Sequence, residues 1–164
     1  VKTLLDMSEL QTVSRDETIA VDALVDEVLV DLEPLAQEKE IKLIGNCKDT
    51  TMVGSDILIY RMVYNLVENA IKYNHFGGQV TVTAYRSGKN ICLSVEDTGS
   101  GIPAELKERI FEPFFRVDKS RSRQLGGVGL GLALVREIVR VHDGRITVQS
   151  SPSGGTIFEV VFTQ

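Results

Sequence analysis

Cysteine and histidine are scarce in this sequence: two of each occur among 164 residues, Cys47 with Cys92 and His75 with His142. The cysteines lie far apart and near no histidine cluster. That spacing argues against a zinc framework or a disulfide scaffold and leaves reduced, buried thiols as the expectation, as in a cytosolic setting. An excess of positive charge is also missing. Eighteen Lys and Arg face 23 Asp and Glu, for a net charge of −5. General nucleic-acid binding is thereby excluded, because a phosphate backbone selects a basic face. No apolar run approaches the roughly 20 residues that a membrane-spanning helix needs, and no signal peptide opens the chain. The first residue is Val1, not methionine, so a longer protein with a membrane anchor upstream is expected.

The length suits one compact domain. Residues 1–11 carry a short amphipathic pattern, read as the tail of a helix, and residues 15–18 read as a polar connector. Over residues 21–39 the apolar Leu24, Val25, Val28, Leu29, Leu32 and Leu35 recur at helical spacing. Pro34 within that run predicts a kink or an early stop. Residues 41–44 and 51–53 are strand candidates. Ser55 with Asp56 offers an N-cap to a long helix ending near Tyr73. Residues 79–86 and 90–96 alternate as strands around a Ser87-Gly88 turn, and Pro103 opens a predicted short helix to Ile110. Residues 112–127 read as a long charged loop. A helix over 130–141 ends at Asp143-Gly144, and a hairpin over 145–163 closes the chain. The pattern predicts an α+β two-layer sandwich, with helices on one face of a mostly antiparallel sheet.

Three segments carry chemistry. In Asp97-Thr98-Gly99-Ser100-Gly101-Ile102-Pro103 a carboxylate closes a strand and two glycines follow, so that backbone can approach a planar ligand. The carboxylate can accept from an exocyclic amino group such as adenine N6, or merely cap the helix at Pro103. In Gly126-Gly127-Val128-Gly129-Leu130-Gly131 a glycine run enters a helix, a natural cradle for phosphate or a hinge before a core helix. It is not a P-loop, because no Gly-Lys-Ser or Gly-Lys-Thr follows, and no long parallel βαβ pattern surrounds it. In the helix, Asn65, Asn69 and Lys72 share one face at i, i+4 and i+7. Amide oxygens suit Mg²⁺ and a lysine suits phosphate; the alternative is a solvated face.

Taken in order, Asn65-Leu66-x-x-Asn69-Ala70-x-Lys72-Tyr73, Asp97-x-Gly99-x-Gly101-Ile102, Phe111-Glu112-Pro113-Phe114-Phe115-Arg116, Gly129-Leu130-Gly131-Leu132-Ala133 and Gly154-Gly155-Thr156 resemble the catalytic, ATP-binding domain of sensor histidine kinases. That domain belongs to the ATPase group of gyrase and the heat-shock chaperone. The resemblance runs from about residue 21 to the C-terminus and implies a Bergerat-type fold with a mobile lid over ATP at about residues 103–128. It implies that Asp97 binds the adenine amino group, with Gly99, Gly101 and Ile102 close to the base, Thr156 in the same network and Tyr73 packed on the ring. Asn69 with Asn65 would hold Mg²⁺, and Lys72 and Arg116 would meet the phosphates. Gly127, Gly129, Leu130 and Gly131 would line the phosphate side. Val128 stands where the family often carries Thr or Ser, and Asp143 where it prefers glycine; the latter is expected to be structural.

The resemblance also bears on the reaction. Related hydrolases carry a Glu where this chain has Asn65, and an amide is no general base. Glu68 lies off the Asn65–Asn69 stripe. Phosphoryl transfer to an external nucleophile is therefore favoured over hydrolysis. Neither His75 nor His142 has the context of an acceptor; His142 is expected to place positive charge at a helix end. The domains read as 1–18, the tail of a dimerisation hairpin and linker, and 19–164, the catalytic domain. The expected partners are ATP and ADP, that hairpin with its acceptor histidine, and a response regulator, with the isolated domain monomeric. The location is expected to be cytoplasmic in a membrane-anchored whole. The second reading is an interaction module that binds nucleotide without phosphotransfer. Phe114 with Phe115 reads as core or as a lid latch, and Lys119, Arg121 and Arg123 as loop face or phosphate contacts.

Overall fold

The computed structural model describes residues 10–113, 115 and 131–164. Seven strands and three α-helices are defined among them: β1 (Glu17–Ala20), α1 (Val21–Glu38), β2 (Lys42–Cys47), β3 (Thr51–Gly54), α2 (Asp56–Lys72), β4 (Gln79–Ser87), β5 (Asn90–Asp97), α3 (Gly131–Val141), β6 (Arg145–Ser150) and β7 (Thr156–Thr163). The main sheet has the order β2-β4-β5-β7-β6. Only β2 and β4 run parallel within it; the other pairs are antiparallel. The expected mixed, mostly antiparallel sheet with helices on one face is thus present.

Alternation explains which face is covered. Val80, Val82 and Ala84 of β4, Ile91, Leu93 and Val95 of β5, and Phe158, Val160 and Phe162 of β7 are all buried. Period-2 patterning places them on one face of neighbouring strands, where α1, α2 and α3 cover them. Helix α2 is central: Ile59, Met62, Val63, Leu66, Val67 and Ile71 are wholly buried. Its N-terminus is capped as the sequence predicts, the Ser55 hydroxyl accepting from the Leu58 N–H at 3.3 Å.

Three local expectations are corrected. The connector read over residues 15–18 gives way at Glu17 to β1, which pairs antiparallel with β3 in a separate two-stranded sheet. Ile19, buried between polar neighbours, provides the anchor, too short a signal to read alone. Helix α1 does not stop at Pro34 but runs on to Glu38. The proline lies where Leu32 and Ala36 hold the helix against the core, so burial outweighs the missing N–H. The segment after Pro103 is not one helix but two 3-10 turns, Ala104–Leu106 and Arg109–Phe111. Only Ile110 and Phe111 are buried there, too little to fix a regular helix.

The ends of α1 and α3 share one device. At α3, the Gly144 N–H donates to Val139 O and the Asp143 N–H to Arg140 O, with Asp143 at φ 57°. At α1, the Ile41 N–H donates to Ala36 O and the Glu40 N–H to Gln37 O, with Glu40 at φ 53°. Both are Schellman closures carrying a non-glycine residue in the left-handed position. Asp143 is structural, as expected. Helix α2 ends without such a closure.

Candidate functional site

The site is built where β5 ends, beside the C-terminal turn of α2 and the start of β7. Asp97 is the last residue of β5 and is 7% exposed. Its Oδ1 accepts two backbone N–H groups, from Gly99 at 2.8 Å and Thr156 at 3.2 Å. Burial pushes its carboxyl above the ordinary value, against the pull of those two hydrogen bonds. Asp97 therefore caps no helix. It ties its own loop to β7, and among the described residues its Oδ2 accepts no hydrogen bond.

The glycines around it are dictated by contact. A Cβ on Gly155 would lie 2.0 Å from Asp97 O, and one on Gly99 would lie 2.6 Å from Tyr73 O and 3.1 Å from Asp97 Oδ1. Gly101 has φ +79° and sits against Gly154 O. The backbone of three segments thus closes around one carboxylate. Thr156 is buried and Ile102 is partly buried against the core. Asp97, Gly99, Thr156 and the Tyr73 backbone lie together, with Gly101 beside Gly154.

Asn65, Asn69, Lys72 and Tyr73 are all half-buried at the C-terminal half of α2. Neither the Asn65 nor the Asn69 amide makes a side-chain hydrogen bond among the described residues. Lys72 approaches Glu68 at 3.9 Å, a partly exposed i,i+4 pair of small energetic value. Glu68 thus faces the lysine. Two unpaired amides can offer oxygen to a divalent cation. Among the described residues no group of three His, Cys, Asp or Glu side chains could hold a metal, and two amides alone are fewer oxygen ligands than Mg²⁺ takes. Gly131 opens α3, exposed, with no described residue within 4 Å of a built Cβ. Arg116, Gly127, Gly129 and Leu130 lie outside the described residues, as do Phe114, Lys119, Arg121, Arg123 and Val128. Phe115 is partly buried against the core, with the Arg109 guanidinium 4.9 Å from its ring centre.

Two supporting residues escape a reading of the sequence. Asn74 is fully buried. Its Nδ2 donates to Gln79 O at 3.0 Å, while its Oδ1 accepts from the His75 N–H at 2.8 Å and the Thr98 hydroxyl at 3.1 Å. It locks the turn after α2 to the loop after β5. Lys39, at the end of α1, donates to three carbonyls at the end of α2: Ile71 at 3.3 Å, Lys72 at 3.0 Å and Asn74 at 2.7 Å. Polar residues after a helix gave the only signal for Asn74, and Lys39 gave none.

His142 corrects an expectation. Its Nε2 accepts from the Ser55 N–H at 3.0 Å, and its Nδ1 lies 2.8 Å from Ile138 O. Nδ1 must donate to that carbonyl, so the ring is the neutral Nδ1-H tautomer. Burial lowers its pKa from the usual 6.5. It is a packed strut between α3 and α2, not a helix-end cation. The cysteines are free, and burial, with Asp26 nearby, pushes the Cys47 thiol up to about 11. Among the described residues no helix is long and apolar enough to cross a membrane.

Comparisons with known proteins agree on one group. A family model described as histidine kinase-, DNA gyrase B-, and HSP90-like ATPase matches residues 54–164. The sensor-like histidine kinase SenX3 of Mycobacterium tuberculosis is 39% identical over 162 residues, 96% of this chain and 40% of that protein. The chain therefore spans about two fifths of the length of the curated relatives it matches. Among solved structures, the catalytic domain of histidine kinase ThkA superposes with a TM-score of 0.81 at 27% identity, covering 92% of this chain and 96% of that one. ThkA is also known in complex with the response regulator protein TrrA (TM-score 0.76, 26% identity, 90% of this chain, 41% of that one). Full-length ShkA in complex with AMPPNP gives a TM-score of 0.81 at 25% identity, over 98% of this chain and 34% of that one.

Proposed function

The chain belongs to the histidine kinase-, DNA gyrase B- and HSP90-like ATPase family, and from that premise we propose that it is the catalytic domain of a sensor histidine kinase. It binds Mg-ATP and presents the γ-phosphate to a histidine on a dimerisation hairpin outside these residues. The observation that carries this reading is Asp97: a buried carboxylate whose Oδ1 is held by two backbone N–H groups, leaving Oδ2 to accept from the adenine amino group. A guanine base offers a carbonyl at that position and would meet carboxylate with acceptor.

The roles are assigned from the family likeness. Gly99 and Gly101 let backbone lie against the base, Thr156 steadies Asp97, and Tyr73 and Ile102 flank the ring. Asn69, with Asn65, would hold Mg²⁺, whose chemistry is to neutralise charge on the phosphates. Lys72 leaves its weak pairing with Glu68 to meet the phosphate tail, where Arg116 acts with it. Gly127, Gly129, Leu130 and Gly131 would supply the phosphate side, as the family likeness implies. With Asn65 in place of a general base and Glu68 beside Lys72, water is not activated. The chain orients ATP and leaves proton removal to the acceptor's own element. Neutral, half-buried His142 takes no part.

The phosphorylated hairpin would then serve a response regulator, as the ThkA pairing illustrates for that kinase. The domain works on the cytoplasmic side, where ATP is, within a membrane-anchored whole. The test adds labelled ATP and a separately purified kinase hairpin to this chain. Acid-labile label on the hairpin histidine is expected. Saturable ATP binding with no transfer to any cognate hairpin would replace the kinase with a nucleotide-dependent interaction module.

A further inference from the structure

Helices α1 and α3 close on themselves through left-handed residues, but α2 does not. Its last N–H bonds run from Tyr73 to Asn69 O and from Asn74 to Ile71 O. The chain then turns away before the remaining carbonyls find partners within it. Carbonyls at a helix end need donors from beyond the helix, and here one of those donors is the ammonium of Lys39, the C-cap of α1. Lys39 Nζ reaches Ile71 O, Lys72 O and Asn74 O. A cation at this end also complements the helix dipole.

Lys39 is itself held firmly. It is the C-cap of α1, its N–H donating to Ala36 O within the closure described above. Its own carbonyl accepts from the Gly77 N–H at 2.8 Å. One residue thus grips both ends of the turn that leaves α2: Asn74 through its ammonium, Gly77 through its carbonyl. The ammonium also spans Ile71 O to Asn74 O, and the residues between those two are ones the site depends on. Lys72 and Tyr73 lie in the gripped turn. Tyr73 O is the atom against which Gly99 packs, and Gly99 is hydrogen-bonded to Asp97.

We infer that Lys39 is a positioning residue for the nucleotide, setting the last turn of α2 so that Tyr73 faces the base while Gly99 and Asp97 stay in register with it. The inference rests on the nucleotide reading above. Lys39 touches no ligand; it acts through the backbone it holds. Losing the ammonium takes this donor from Lys72 O and Asn74 O and leaves Ile71 O with the Asn74 N–H alone, and the turn that carries Tyr73 tilts or frays.

The test compares the chain with Lys39→Met, which keeps the length but removes the donors, and Lys39→Arg, which keeps a cation. ADP and adenosine affinities are measured by chemical-shift titration, with melting curves to confirm folding. Adenosine is essential because it has no phosphate for a distant charge to attract. The expected result is a loss of roughly tenfold for both ligands in Lys39→Met, largely restored in Lys39→Arg. Unchanged affinity in folded Lys39→Met overturns the inference. So does a loss for ADP with none for adenosine, which would make Lys39 a remote charge and not a positioner. If Lys39→Met does not fold, Lys39→Gln, which keeps an N–H donor, takes its place under the same criteria. A parent chain that binds neither ligand overturns the nucleotide reading itself and this inference with it, an outcome distinct from the first two.

Discussion

Asp97 carries two opposed duties. Its carboxylate is buried, and burial raises its pKa. The folded state therefore holds a proton to higher pH than the unfolded state does. In linkage terms, stability falls as pH rises from the unfolded value through the folded one, and ionised Asp97 is a standing cost at neutral pH. Asp97→Asn keeps an Oδ1 for the Gly99 and Thr156 N–H groups but sets an amide donor where Oδ2 was. The expected outcome is unchanged or raised melting temperature at pH 7, with the advantage over the parent shrinking towards pH 4. ATP affinity, measured by calorimetry, should fall about ten- to a hundredfold, as two donors meet. His142 has the opposite sign. Its depressed pKa means the unfolded chain binds the proton first, so its contribution is complete above about pH 6.5 and is lost as pH falls towards the folded value. His142→Gln should flatten the acid limb of the stability profile between those two values without moving ATP affinity at pH 7.5.

At this scale the sequence was informative where a residue's neighbours in the chain define its job. Asp97, Gly99 and Gly101 lie within five positions, and Thr156 follows Gly155. It was uninformative where the partner is remote. Lys39 meets carbonyls 32 to 35 residues away, and the His142 ring takes its tautomer from Ser55, 87 residues away. No local pattern announces either.

Among elements, helix ends separate cost from need. Glu40 and Asp143 occupy left-handed positions that glycine fills without strain. Asp143→Gly and Glu40→Gly should each stabilise the chain by about 0.5–1 kcal/mol in denaturant melts and leave nucleotide binding alone. Gly155→Ala should do the reverse. Its Cβ would lie 2.0 Å from Asp97 O, so backbone must move, at a cost of about 3 kcal/mol or more, with loss of ATP binding. Gly131→Ala meets nothing within 4 Å among the described residues and should raise stability by up to about 1 kcal/mol. If phosphate approaches the start of α3 closely, ATP affinity falls nonetheless. Periodicity located α1, α2, α3 and the long strands because each buries a continuous stripe. It missed β1, whose four residues bury one side chain, and it overestimated the helix after Pro103, where two buried side chains cannot impose regularity.

For the molecule as a whole, strand order was the part least legible. Residues 42–54 give two short strands in succession, which alone suggest a hairpin. Instead β3 pairs with β1, while β2 joins the edge of the main sheet in parallel with β4. A one-faced sheet needs helices along its full width, and α1 can cover β2 only if that strand is carried across. Those pairings depend on the whole core at once. The motif order from Asn65 to Thr156, by contrast, does not depend on strand order; among the described residues the fold joins Asp97, Gly99 and the Tyr73 backbone with Gly155 and Thr156.

The most direct test of the nucleotide site is a calorimetric titration of this chain with ATP, with and without Mg²⁺, with GTP as the control. Saturable binding of ATP that changes with Mg²⁺, and GTP binding weaker by roughly tenfold or more, is the expected result. Equal affinity for ATP and GTP in a folded sample, or binding of neither, would contradict the assignment of Asp97 to the adenine amino group and with it the function proposed.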